Sequence, residues 1–196
     1  MSGRLVYLHG FRSSPASFKA RMIGERMEAL GLAERFLCPQ LPASPRRAMS
    51  LVLDGLVLRR EDALVGSSLG GYYATWLAER LGCRAVLLNP AIRPAQGLSA
   101  YTGPQTMYHS DEPFDFRPEY LEELRELEVP AITAPDRYFL VAAKGDELLD
   151  WRDMVAHYPG ARHCVIEGSD HGLSDFSLYL DAVLAFAGIP PQGPLG

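Results

Sequence analysis

The sequence predicts one α/β domain built on a mostly parallel six-stranded sheet with helices on both faces. Three observations carry this. Six short apolar runs recur along the 196 residues, nearly continuous rather than alternating, as parallel strands covered on both faces require. Amphipathic segments separate these runs, and strands alternating with helices imply a layered fold with a parallel sheet. The composition, 47% hydrophobic and 22% charged, is that of a globular chain with a substantial core. We assign the domain to residues 1–189 and read 190–196, PPQGPLG, as a flexible tail.

The strands are RLVYLHG (4–10), FLCPQL (36–41), DALVGS (62–67), RAVLLNP (84–90), RYFLVAAKG (137–145) and ARHCVIEG (161–168). The first helical segment, 17–31, ends at Gly31. The second, 44–58, opens with Ser44 and Pro45, a cap followed by a first-turn proline. The third, 69–82, ends at Gly82. The last runs from about Leu173 to Ala187, with Phe176, Leu180, Val183, Leu184 and Ala187 on one face, and Gly188 and Pro190 stop it. Residues 91–136 break the rhythm with six prolines and five aromatics, and only 117–128 has a helical pattern. Two readings stand: a small cap inserted after the fourth strand, or an irregular crossover.

Several function classes recede. A formal net charge of −5 exerts no general pull on nucleic acid or anionic membrane. No apolar run approaches the ~18 residues of a membrane span, and the start, MSGRLVYLHG, lacks the pattern of a leader. Cys38, Cys83 and Cys164 are odd in number and form no CxxC, which favours buried thiols in a reducing cytoplasm over a disulfide or zinc framework. No metal or cofactor motif is present. Partners, on this reading, reduce to a small-molecule substrate; the sequence does not set the oligomeric state.

The stretch VGSSLGGYY (65–73) carries the chemistry. It leaves a buried strand and opens an amphipathic helix, and in the frame G-x-S-x-G it reads Gly66, Ser67, Ser68, Leu69, Gly70. A sharp strand-to-helix turn crowds the side chains two residues before and after its apex. Ser68 has glycine at both places; Ser67 has Val65 and Leu69. Ser68 is therefore the candidate nucleophile. Such a serine needs an acid and then a histidine, in that chain order. Of five histidines, His171 in GSDHGLSDF sits on a loop after the last strand and is the candidate base. Asp146, first off the fifth strand in KGDELLD, is the preferred acid, ahead of Asp150, which resembles a helix cap, and Glu147. For the oxyanion, the backbone N–H of Leu69 follows the nucleophile, and that of Phe11 lies in the loop after the first strand. His9 braces that loop. Arg12 at the entrance and Tyr101, Tyr108, Phe114 and Phe116 in the 91–136 segment are candidate substrate contacts.

YLHGF, SSPASFKA, VGSSLGGYYATWLAE, LLNPA, GDELLD and SDHG, in this order over nearly the whole chain, resemble the YqiA-like esterases, a small bacterial branch of the α/β-hydrolase fold. The resemblance implies a reduced α/β-hydrolase lacking the first two antiparallel strands. It also implies esterase activity without a cofactor, with Ser68, Asp146 and His171 as triad and Phe11 and Leu69 as oxyanion donors. The function read from the sequence is thus a serine esterase acting on short to medium acyl esters through an acyl-enzyme. A thioesterase for acyl-CoA or an acyl carrier is the alternative within enzymes, and a non-catalytic hydrolase-fold binding protein the alternative outside them.

Overall fold

The computed structural model of the chain describes residues 3–109 and 112–189; the expected tail at 190–196 lies outside the described residues. The elements are, in chain order, β1 (Leu5–Leu8), α1 (Phe18–Ala29), β2 (Phe36–Leu37), α2 (Pro45–Ser50), β3 (Ala63–Ser67), α3 (Leu69–Leu81), β4 (Arg84–Leu88), α4 (Pro94–Gly97), β5 (Gly103–Thr106), β6 (Pro113–Phe116), α5 (Glu119–Glu126), β7 (Tyr138–Ala143), α6 (Trp151–His157), β8 (Arg162–Ile166) and α7 (Leu180–Phe186). Six strands form one sheet in the order β2-β1-β3-β4-β7-β8, and every pair in it is parallel.

Strand side chains alternate between two apolar layers, as the two-residue period of a strand dictates. Val6, Leu8, Leu64, Leu87, Leu140 and Ala142 pack with α2, α3, α5 and α6. Leu5, Tyr7, Val65, Val86, Phe139 and Val141 pack with α1 and α7. Each fully buried Val, Leu or Phe contributes roughly 1.5–3 kcal/mol, so burial on both faces is what holds the sheet. The chain leaves β1 for β2 on one side and returns to β3 on the other. That reversal opens a crevice at the carboxyl ends of β1 and β3, where open α/β sheets bind ligands.

Three departures from the sequence reading have local causes. The segment 44–58 is α2, capped by Ser44 Oγ accepting from Arg47 N, followed by a π-helical turn, Leu51–Gly55; the positive φ of 47° at Val57 ends it. The last helix begins later than Leu173, because Leu173 has φ 52°, which a right-handed helix cannot contain. A 3-10 turn, Phe176–Leu178, intervenes before α7. Residues 91–136 hold, besides α5, the short helix α4 and an antiparallel hairpin, β5–β6. Pro104 and Pro113 argue against strands from sequence, yet a two-stranded ribbon has free outer edges that accept them. The hairpin is anchored by the fully buried Phe116. α5 is tied to α2 by Ser44 Oγ donating to Glu123 Oε2 at 2.6 Å and to α3 by Tyr72 OH donating to Leu124 O at 2.6 Å.

At the opposite end of the sheet, Asp62 closes the turn before β3. Its side chain is 2% exposed and accepts from Arg4 N and Arg4 Nη2, both at 2.7 Å, and from Arg59 N at 2.9 Å. Burial alone would raise the Asp62 carboxyl, but the bonds from Arg4 and Arg59 outweigh it and hold it below the ordinary range. Its stabilisation is therefore complete above a pH of about 3.9 and is lost as pH falls through the lower folded value. Asp62→Ala should cost about 2 kcal/mol at neutral pH by leaving the amides of Arg4 and Arg59 without their acceptor. Urea unfolding from pH 7 to pH 3 should show this gap narrowing only at the acid end; a gap that stays constant would contradict the assignment.

Candidate active site

Ser68 stands between β3 and α3 with φ 55° and ψ −119°, a region non-glycine residues rarely enter. Holding it there costs on the order of 1–3 kcal/mol, met by hydrogen bonds on both sides of the residue. Its N–H donates to Leu88 O at 3.0 Å, and its carbonyl accepts from Gly71 N, Tyr72 N and Ala91 N at 2.9, 3.3 and 3.1 Å. The flanking glycines are required by space. A Cβ on Gly66 would lie 2.2 Å from Gly70 O, and one on Gly70 would lie 1.9 Å from Leu8 O. Ser67, the other serine of the pair, is buried.

The loop after β8 carries His171 to this serine. His171 Nε2 lies 3.1 Å from Ser68 Oγ, and Nδ1 lies 2.8 Å from Asp146 Oδ2. A carboxylate only accepts, so Nδ1 carries the proton and Nε2 is free to accept from the hydroxyl. Asp146, its side chain 0% exposed, uses Oδ1 to accept from Leu148 N and Leu149 N, both at 2.9 Å. Its orientation is thus fixed by its own loop. The neighbouring acids have other partners: Glu147 Oε2 accepts from His171 N at 3.0 Å, and Asp150 caps α6 by accepting from Arg152 N.

Two residues without an assigned role in the sequence reading hold the His171 loop. Asn89, fully buried with φ 42°, donates from Nδ2 to Asp170 O at 3.0 Å and His171 O at 3.2 Å. Its Oδ1 accepts from Ala143 N at 2.8 Å. Lys19, on α1 and 9% exposed, donates from Nζ to Gly172 O. Side chains from two distant segments thus hold three consecutive carbonyls. The signals were present in LLNPA and SSPASFKA: a polar residue closing an apolar strand, and a lysine on the buried face of a helix.

The loop after β1 abuts the serine; a Cβ on Gly10 would lie 3.4 Å from Ser68 Cβ. His9 braces this loop. Its Nε2 accepts from Leu41 N at 3.0 Å, which leaves the ring proton on Nδ1, 3.0 Å from Gly10 O. Burial pushes its protonation below the ordinary histidine range. Leu69 N, in the first turn of α3, has no acceptor within its helix, and Phe11 N has no partner among the described residues. The Phe11 ring meets Tyr101, Phe114 and Phe116 edge-on at 6.1, 5.3 and 5.1 Å between centroids.

The expected substrate contacts divide. Phe116, read as a wall, is fully buried and supports Phe11 from below. Arg12 donates from Nε to Thr106 O at 2.5 Å and lies 4.7 Å from the Tyr108 ring centroid, so the two clasp hairpin to loop. Tyr101 and Tyr108 are exposed, and Phe114 is half-buried. A cavity of about 370 Å³ lies between the segments after β4 and β7, lined by Pro90, Ile92, Leu148, Leu149, Met154 and His157, with Arg93, Asp150 and Asp153 among its polar groups. Among the described residues no group of three His, Cys, Asp or Glu side chains could hold a metal ion, and no helix is long and apolar enough to cross a membrane.

With this geometry in place, comparison with known proteins is informative. The model of the Uncharacterised protein family (UPF0227) matches residues 4–188. The chain belongs to that family. UPF0227 protein YE1706 of Yersinia enterocolitica is 25% identical over 189 residues, spanning 93% of this chain and 97% of the relative. Mouse alpha/beta hydrolase domain-containing protein 10 is 18% identical with a TM-score of 0.68, over 96% of this chain and 95% of that one. Est1E from Butyrivibrio proteoclasticus, solved with ferulic acid bound, is 14% identical with a TM-score of 0.69, over 94% and 87%. These likenesses establish the fold of this UPF0227 protein as a reduced α/β-hydrolase.

The Lys19 ammonium gives this site a measurable signature. Burial pushes its pKa down to about 8, against the partial support of Asp170 and Asp146. Between that value and about 10.5 the unfolded chain binds more protons than the folded one, so Lys19 makes stability rise with pH there. Wild-type unfolding free energy should gain on that of Lys19→Met between pH 8 and pH 10.5, measured by urea titration. Parallel profiles would show that the ammonium is not desolvated.

Proposed function

We propose that this UPF0227 protein is a serine esterase that hydrolyses small acyl esters through an acyl-enzyme, without a cofactor. The observation that supports this best is the continuous hydrogen-bonded chain from Ser68 Oγ through His171 to Asp146. His171 Nε2 takes the Ser68 proton as Oγ attacks the ester carbonyl. The N–H groups of Leu69 and Phe11 receive the developing oxyanion, each worth on the order of 10²–10³ in rate. His171 then gives its proton to the departing alcohol. Water, activated by the same imidazole, releases the acid and regenerates Ser68. Asp146 holds the imidazole tautomer. A protein that only bound ligands would gain nothing from a strained serine aligned on a histidine and a buried carboxylate.

In this reading the cavity of about 370 Å³ receives the acyl group. It begins beside the catalytic residues along the chain: Pro90 precedes Ala91, whose N–H donates to Ser68 O, and Leu148 and Leu149 donate to Asp146. The volume sits at the small end of ligand pockets.

Ser68→Ala should lower kcat by about 10⁶, and Ser67→Ala should retain most activity. Asp146→Asn should lose about 10⁴ in kcat while staying folded; Asp150→Ala, which removes the α6 cap, should cost about 1 kcal/mol of stability and little activity. Steady-state kinetics with a p-nitrophenyl ester, beside thermal unfolding, checks all four. Equal losses at Ser67, or an inverted pattern at the two aspartates, would break the assignment.

Chain-length selectivity follows from the cavity. Each methylene that gains burial should add up to ~0.8 kcal/mol, and those beyond the cavity little. Over acyl esters of increasing length kept below micelle formation, kcat/KM should peak at short to medium chains. A continued steep rise would contradict the pocket, and consistently faster thioesters would make the protein a thioesterase.

A further inference from the structure

The end of the sheet opposite Ser68 carries a second cavity, of about 520 Å³, lined by Arg35, Arg60, Arg84 and Arg137 together with the carboxylates Glu61 and Asp62. The four arginines come from four separate segments, at or just before the first residues of β2, β3, β4 and β7. Two guanidinium groups converge on one point: a Cβ on Gly82 would lie 3.4 Å from Arg137 Nη1 and 3.8 Å from Arg60 Nε. A Cβ on Gly188 would lie 3.7 Å from Arg84 Nη1. Four cations gathered in a chain of net charge −5 call for an account of their counter-charges.

The acids nearby do not supply them. Asp62 is committed to Arg4 and two backbone amides. Glu61 pairs weakly with Arg59, at 4.0 Å, and acts on Arg4 through charge. Glu79 accepts from Arg137 Nη2 at 3.1 Å, but it also accepts from Thr133 and Tyr138, and Arg137 Nε is buried with no partner among the described residues. Among the described residues Arg35 donates only to the carbonyl of Gly3, and Arg84 makes one long bond, 3.4 Å, to Phe186 O. Arg60 has no hydrogen bond or ion pair among the described residues. The carboxyl ends of α3 and α7 lie beside the cavity, but a helix end carries only about half a negative charge. That is too little to balance the unpaired guanidinium groups.

We propose that this cavity is a binding site for a phosphate-bearing small molecule, separate from the catalytic crevice. Guanidinium forks match the paired oxygens of a phosphoryl group, and they do so better than a point charge would. The volume exceeds that of a phosphate ion and leaves room for the group that carries it. The glycines at Gly82 and Gly188, where the two helices end, keep side chains out of that space.

The test is isothermal titration of the full chain at constant ionic strength with inorganic phosphate, pyrophosphate and adenosine 5′-monophosphate. Saturable one-to-one binding of at least one probe is expected, weakened at least tenfold in R60A and further in R60A/R84A, and unchanged in R125A on α5. Tighter binding of pyrophosphate than phosphate points to a polyphosphate ligand, and tighter binding of the nucleotide to a phosphorylated metabolite with a ring. Ester hydrolysis should be unchanged in every variant. Because Arg60 makes no hydrogen bond or ion pair among the described residues, R60A should keep a Tm close to the wild type and keeps the test decisive if the double variant unfolds. No saturable binding of any probe, or binding that survives R60A at full strength, overturns the proposal.

Discussion

The close approach of Gly70 to the carbonyl of Leu8 is the constraint on which the site depends. A Cβ at Gly70 would sit 1.9 Å from that oxygen, so α3 can begin where it does only without a side chain there. This contact brings the amino end of α3 against the exit of β1. It places the loop carrying Phe11 beside Ser68 and forces the chain between β3 and α3 into the strained turn that exposes the hydroxyl. The strain is retained because the carbonyl of Ser68 accepts three amides, one of them from Ala91 after β4. Packing against both sides of the sheet then supplies stability the turn cannot supply for itself.

The histidine is held by a different device. Asn89 and Lys19 fix the carbonyls of Asp170, His171 and Gly172, and Glu147 fixes the amide of His171. Hydrogen bonds from opposite sides of the loop thus position the imidazole, leaving its two ring nitrogens for Ser68 and Asp146. The distribution of charge over the molecule is uneven in a related way. Acids gather around the histidine loop, while arginines gather at the far end of the sheet.

The fold was legible because it rests on local signals. Continuous apolar runs mark β1, β3, β4 and β7, and glycine at 66 and 70 marks the turn, since both are imposed by sterics rather than by distant partners. The order of Ser68, Asp146 and His171 could be read for the same reason: each leaves the carboxyl end of a strand. What could not be read depends on tertiary contact. The β5–β6 hairpin contains prolines that local preference excludes from strands, and it forms because Phe116 buries beneath Phe11. Phe116 therefore became structural although it looked like a wall. Arg12 and Tyr108 stack on each other across the chain, a contact that local sequence does not announce. Asn89 carried no role in the sequence because its three partners lie more than fifty positions away.

The central claim is that Ser68 is a nucleophile activated by His171. Reaction with a fluorophosphonate, followed by digestion and peptide mass mapping, tests it most directly. The account predicts one adduct per chain, on Ser68 alone, and loss of that adduct in His171→Ala. An adduct on Ser67, or labelling of Ser68 that proceeds equally well without His171, would contradict it.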